Sequence, residues 1–172
     1  MLRISEEFSD IYIPDFKYSD SNLAGIFSGC PDYPKVSLQA LEVMIKQKGF
    51  LDIYPRNGEP AEKGVLVRHL ILPGHIENSF NAMTMLFLEF GSSLPISLMS
   101  QYYPVRSGKN ESISRTLLFD EFSRVYDHCA DLGFEHLFVQ YPEEDSYDQN
   151  APSPFLPDFA LPCPFRHPEL RQ

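Results

Sequence analysis

Runs of β-branched and aromatic residues alternate with stretches of helical period along most of this chain. That alternation restricts the fold more than any other feature. Ile11 to Tyr18 reads as a strand, with Pro14 placing it at a sheet edge or near a strand end. A short helical piece around Leu23–Phe27 follows, then the Gly29-Cys30-Pro31-Asp32 loop. A helix from Tyr33 to Lys48 has Pro34 in its first turn, a stripe of Val36, Leu41, Met44 and Ile45, and Gly49 just past its end. Arg56 to Pro60 is turn chemistry. Val65 to Leu72 is a nearly continuous apolar run, the pattern of a strand buried on both faces. Asn78 is placed to cap a helix that runs to Phe90 and closes at Gly91. Pro95 to Tyr103 is a third strand and Ser107 to Glu111 a polar loop. Ser114 to Leu132 is a longer helix, and Phe134 to Gln140 a fourth strand. Strand–helix repeated three times and closed by a strand predicts an α/β fold of parallel βαβ units with right-handed crossovers. No sequence repeat underlies it.

The end of the chain departs from this pattern. Residues 141–172 hold seven of the fifteen prolines and the acidic run Glu143-Glu144-Asp145, with neither helical nor strand period. They read as a surface tail. Phe155, Phe159 and Phe165 could anchor it on a partner or over a sheet edge of the same chain.

The 172 residues suffice for one domain, and 43% hydrophobic content supplies a core. Twenty-four acidic against fourteen basic residues leave a formal charge of −10, which argues against a nucleic-acid binder or a polybasic membrane-surface protein. No apolar run approaches the roughly 18–20 residues of a bilayer span, and MLRISEEFSD lacks a signal-peptide core. Cys30, Cys129 and Cys163 are too few and too far apart for a disulfide framework or a metal loop. A cytoplasmic protein is the expectation.

Ligands of parallel α/β folds bind at the carboxyl ends of the strands. Asp15 and Lys17, two apart on a strand, point to one face above Ile11 and Ile13. Such an acid–base pair suits the two charges of a zwitterion, or forms a plain salt bridge. Arg68, inside an apolar run, needs a partner if buried, either a carboxylate such as Asp15 or an anionic ligand. His69 faces the other way and reads as a hydrogen-bonded structural histidine, and His75 as a loop residue. Ser97, Met99 and Gln101 alternate along the third strand, either lining a site or filling the interior. A phosphate loop, a nucleophile motif and a close carboxylate pair are all missing, so no catalytic residue and no metal ligand is assigned.

Four segments in order, IYIPDFKY from Ile11, SGCPDY from Ser28, GVLVRHLILPGH from Gly64 and SLMSQYYP from Ser97, resemble the pyruvate formate-lyase activating enzyme-like branch of the radical S-adenosylmethionine (SAM) superfamily. The resemblance covers roughly residues 10–140. It implies a partial (β/α)6 barrel in which a Cys-x3-Cys-x2-Cys loop holds a [4Fe-4S] cluster. The cluster iron chelates SAM, whose reductive cleavage yields a 5′-deoxyadenosyl radical. Asp15 and Lys17 match the strand that contacts the methionine moiety of SAM. Arg68 matches the Arg of the next strand, and Gln101 or Tyr102 the last barrel strand.

The cysteine loop and the glycine-rich SAM motif of the family are absent, and nothing before residue 10 could supply the first strands. The resemblance therefore implies that residues 1–140 are the C-terminal half of such a barrel, about half of the TIM-like whole, followed by the tail at 141–172. It implies part of a SAM site, inactive without the cluster-bearing half, whether as one domain of a longer protein or a shortened gene product. A half-barrel exposes strand edges, so the expected partners are the missing N-terminal half or a second copy in a homodimer. The alternative is a non-catalytic binding or interaction module that keeps the scaffold.

Overall fold

The computed structural model describes residues 6–53, 59–104 and 113–142. Most of the expected turn at 56–60, the loop at 107–111, Cys163 and the tail from 143 onward lie outside the described residues. The elements in chain order are β1 (Ile11–Tyr12), α1 (Ser21–Ser28), α2 (Tyr33–Lys48), β2 (Gly64–Val65), β3 (Val67–Leu70), α3 (Ile76–Phe90), β4 (Ile96–Met99), α4 (Phe119–Leu132) and β5 (Leu137–Gln140).

All strand pairings are parallel, in two small sheets, β1–β2 and β3–β4–β5. The sheets run into each other because β2 and β3 are consecutive. Along residues 64–68 the even amides face the first strand: Gly64 N–H donates to Asp10 O, Leu66 to Tyr12 O and Arg68 to Pro14 O. Phe16 N–H returns a bond to Arg68 O at 2.9 Å. Odd amides face the other way, Val65 to Gly49 O, then Val67 to Pro95 O and Ile71 to Met99 O. The segment thus exchanges a short neighbour at Phe50 for β4 midway along. Gly64 makes the first of these contacts possible. Its φ is +133°, and a Cβ there would stand 2.4 Å from the Leu51 Cα.

Helices α2, α3 and α4 bury their apolar stripes on one face, while α1 packs on a separate cluster with Tyr18 and Leu72. Tyr12, Phe16, Val65, Val67, Ile71, Ile96 and Leu98 meet Leu41 of α2, Met83 and Leu86 of α3, and Phe122 and Val125 of α4. The opposite face carries Ile11, Ile13, Leu66, Arg68, Leu70 and Phe138, all partly or largely exposed. Here the structure departs from the pattern expected of Val65–Leu72. That strand is buried on one face, with Val67 and His69 inside and Arg68 and Leu70 half-exposed. An apolar run records only that a strand avoids water. It does not record which neighbour covers each face.

Helix and strand ends also move. Helix α3 begins at Ile76, and Asn78 is buried and bonded to the loop after β1 instead of capping. Helix α4 begins at Phe119, five residues later than expected, because Leu117 drops into the core and Arg115 turns back to Glu121. Strand β4 stops at Met99, and Ser100 donates its hydroxyl to Gln140 O at 2.7 Å.

Candidate functional site

The segment that follows β1 runs beside β3, where a parallel bridge sets Asp15 opposite Arg68. The Arg68 Nε donates to Asp15 Oδ1 at 2.7 Å, and Lys17 Nζ stands 3.3 Å from Asp15 Oδ2. One carboxylate therefore holds two cations on the face that the helices leave bare. The side chains are 26% exposed at Asp15, 44% at Lys17 and 43% at Arg68, so the cluster is wet, and Arg68 is not the buried arginine that the sequence suggested. Water reaches it because the helices pack on the other side of the sheet.

The backbone under this cluster is fastened from two sides. The Tyr33 hydroxyl donates to Asp15 O at 2.7 Å and accepts from Lys17 N–H at 3.1 Å, closing the upper part of the free edge of β1. Half-burial raises the Tyr33 pKa above the ordinary tyrosine value, which keeps the hydroxyl a donor. Asn78 donates through Nδ2 to Lys17 O at 2.9 Å, and its Oδ1 accepts from Ser19 N–H at 2.9 Å. Neither role was visible in sequence. Tyr33 looked like a helix-start residue and Asn78 like a cap, and each acts across 16 or more residues of chain.

The next strand continues the site. Ser97 opposes Arg68 and Met99 opposes Leu70, so both side chains lie on the same face as the cluster. The Gln101 amide points back to Met99, its nitrogen 3.7 Å from the sulfur. Tyr102 goes elsewhere. It packs with Tyr18 and Leu72, and its hydroxyl donates to Ile113 O at 2.9 Å. Sequence alternation separates the two, since Gln101 and Tyr102 leave the strand on opposite sides.

His69 takes the structural role expected of it. Its Nδ1 lies 2.6 Å from Phe16 O, an acceptor, so that nitrogen carries the proton and Nε2 accepts from Ser79 Oγ at 2.9 Å. Complete burial lowers its pKa to about 4, so the ring is neutral at pH 7. His75 sits edge-on to Phe27 at 5.3 Å, its pKa lowered by partial burial.

A second anchoring group has no signal in the sequence. Glu121 accepts from both Arg115 Nη atoms at 2.7 and 2.9 Å, from Gly74 N–H at 2.7 Å and from Leu118 N–H at 3.0 Å. The Arg115 bonds chiefly, with those backbone amides, hold its pKa at about 2. The carboxylate ties the turn after β3 to the start of α4.

Among the described residues no three His, Cys, Asp or Glu side chains come together to hold a metal. Cys30 is exposed beside Pro31, and Cys129 is buried in α4, where burial pushes its thiol up to about 12. A groove of about 660 Å³ lies between β1 and α2, lined by Pro14, Asp15, Cys30, Tyr33, Leu41 and Met44. No described helix is long and apolar enough to cross a membrane. Comparison with family models, curated proteins and solved structures finds no match to the chain.

Proposed function

We propose that this chain forms the C-terminal part of a radical SAM protein of the pyruvate formate-lyase activating enzyme-like kind and contributes part of the SAM site. The observation that carries the reading is the Asp15–Lys17–Arg68 cluster, near the carboxyl ends of parallel strands on the helix-free face. Opposite charges held side by side fit the two charged groups of an amino acid. Lys17 and Arg68 would receive the carboxylate and Asp15 the ammonium, with Ser97 and Gln101 within the same face. Consecutive parallel strands with α2, α3 and α4 packed on one face are also what half of a TIM-like barrel requires. The described cysteines do not fit a [4Fe-4S] cluster, since Cys30 and Cys129 stand apart. The cluster-bearing half would therefore join at the bare face and the open edge of β1, and the role of this chain ends at holding the ligand.

In this reading the chain binds the methionine end of SAM by itself and does not cleave it. Calorimetric titration with SAM should show weak binding, with Kd on the order of 0.1–1 mM. Asp15→Asn and Lys17→Ala should each abolish it. Absence of binding to the unaltered chain would reject the SAM site. A brown chromophore and 5′-deoxyadenosine after anaerobic reconstitution with iron and sulfide would reject the partial-site reading.

One observation favours a second reading. Asp15 is already satisfied by Lys17 and Arg68, as in a scaffold held by its own ion pairs. A non-catalytic interaction module would show no SAM heat, and the same two substitutions would then lower stability alone.

A further inference from the structure

The parallel strands leave two edges and one face open. With β2 and β3 taken as one position, β1 and β5 are the outer strands of four. In both outer strands the even-numbered backbone groups turn inward, as Tyr12 O and Pro14 O do to Leu66 and Arg68, and His136 O to Ile96. The odd-numbered groups turn outward. Among the described residues, the amides and carbonyls of Ile11, Ile13, Leu137 and Val139 meet no backbone partner. On the bare face Ile11, Ile13 and Phe138 are exposed at 39%, 53% and 45%. A parallel sheet ordinarily has both faces covered and its edges protected.

We infer that two copies of this chain close an eight-stranded parallel barrel, with β5 of each copy adding to β1 of the other about a two-fold axis along the barrel. Strand number and register carry this. Four parallel strands with α2, α3 and α4 on one face are half of a barrel whose helices ring the outside. A two-fold axis makes two identical seams, and the ring closes without an edge. Asp15 opposes Arg68, Arg68 opposes Ser97 and Ser97 opposes Phe138, one level row across the strands. A barrel of this size returns to its first strand displaced by about eight residues, hence by roughly four per copy. With right-handed crossovers and twist, the step runs towards the N-terminus. Phe138 then comes opposite Ile11 of the second copy. The outward groups pair in turn: Ile11 N–H with Leu137 O, Val139 N–H with Ile11 O, Ile13 N–H with Val139 O and Tyr141 N–H with Ile13 O. Ile11, Ile13 and Phe138 all turn into the barrel, because parallel neighbours share a face.

Tyr141 adds an independent fit. The same register sets it opposite Pro14 of the second copy, on the helix side. There the groove of about 660 Å³ lies open between β1 and α2, lined by Pro14, Tyr33, Val36, Leu41 and Met44. Tyr141 is 60% exposed, yet its ring is held 5.6 Å from Phe122 and 6.1 Å from Tyr126. It is a preset knob for that groove. Burying Ile11, Ile13, Val36, Phe138 and Tyr141 of both copies, with the edge backbone, removes on the order of 1,200 Å² from water, the lower end of the range for stable interfaces.

The inference does not rest on the SAM reading. In that reading a cluster-bearing half takes the same edge and SAM heat is the test, whereas here the mass of the chain by itself decides.

Sedimentation equilibrium of the full chain should give twice 19.7 kDa, with a dimer Kd on the order of 10 µM. A monomer at about 200 µM would overturn the inference. Ile13→Pro removes an amide that only the seam uses, on an edge strand that tolerates proline. It should weaken the dimer by about tenfold or more with unchanged circular dichroism. Tyr141→Asp, outside the core, repeats the test through a different contact if Ile13→Pro unfolds the chain. A dimer unchanged by both would overturn the inference. In a Cys30→Ser/Cys163→Ser background, Ile11→Cys with Phe138→Cys reads the register. Within one chain these positions are three strand spacings apart, about 14 Å, too far for a disulfide. Across a seam they are neighbours, so oxidation should link two chains from position 11 to position 138. Links from 11 to 11 or from 138 to 138 would mean another arrangement of copies and would overturn the inference. Amide exchange reads the same seam. Ile13, fast in the dilute monomer, should become protected as the concentration rises through the Kd, and protection independent of concentration would count against the barrel.

Discussion

At the scale of single residues, two buried polar groups tie stability to pH. His69 is neutral in the fold because its pKa is about 4, against 6.5 when exposed. The unfolded chain binds a proton between these values that the folded chain refuses. Stability therefore falls as the pH drops from about 6.5 to about 4, by up to about 1.4 kcal/mol per unit. Urea unfolding at pH 7, 6 and 5 should show this slope, and His69→Gln should flatten it. Glu121 acts lower on the scale. Its folded pKa of about 2 lies below the ordinary 4.5, so its contribution is complete above pH 4.5 and is lost as the pH falls towards 2. Glu121→Ala leaves Arg115 and the Gly74 and Leu118 amides without this acceptor. It should cost about 2–3 kcal/mol in urea unfolding at pH 7.

At the scale of elements, the fold depends on a few tight joints between segments that propensity alone describes well. Strand β2 passes against Leu51 at a distance that only glycine tolerates. Gly64→Ala should therefore destabilise by about 2 kcal/mol or more, read as a lowered Tm, because backbone must move to admit the methyl group. Helix α2 follows its sequence signals closely, with Pro34 at its start and Gly49 at its end, because these residues act on their own backbone. Helix α4 does not. Its helical period extends upstream, but Leu117 gains more by entering the core than by prolonging the helix. Likewise β4 ends early because Ser100 finds the Gln140 carbonyl.

At the scale of the whole molecule, one sheet face is dry and the other wet, and the two edges differ. The centre of the sheet should be the last part to open. In amide exchange, Val67 and Ile71, which donate to Pro95 and Met99 beneath the helices, should be the slowest. Ile11 and Ile13 at the edge should exchange at least a hundredfold faster, and equal protection there would mean that the edge is paired in solution. The Tyr33 hydroxyl closes only the upper end of that edge, at Asp15 and Lys17.

Alternation of strand and helix, parallel pairing, the pairing of Asp15 with Lys17 on one face and the inward turn of His69 were all legible in the residues themselves. They follow from local periodicity, since side chains two apart on a strand share a side wherever the strand is placed. Tertiary structure alone decided the rest. It set Arg68 opposite Asp15, brought Tyr33 and Asn78 to the backbone of Lys17 and left one face of the sheet in water. Each of these depends on register and on which face the helices cover, and those are settled by contacts between segments 16 to 61 residues apart, beyond the reach of any local pattern.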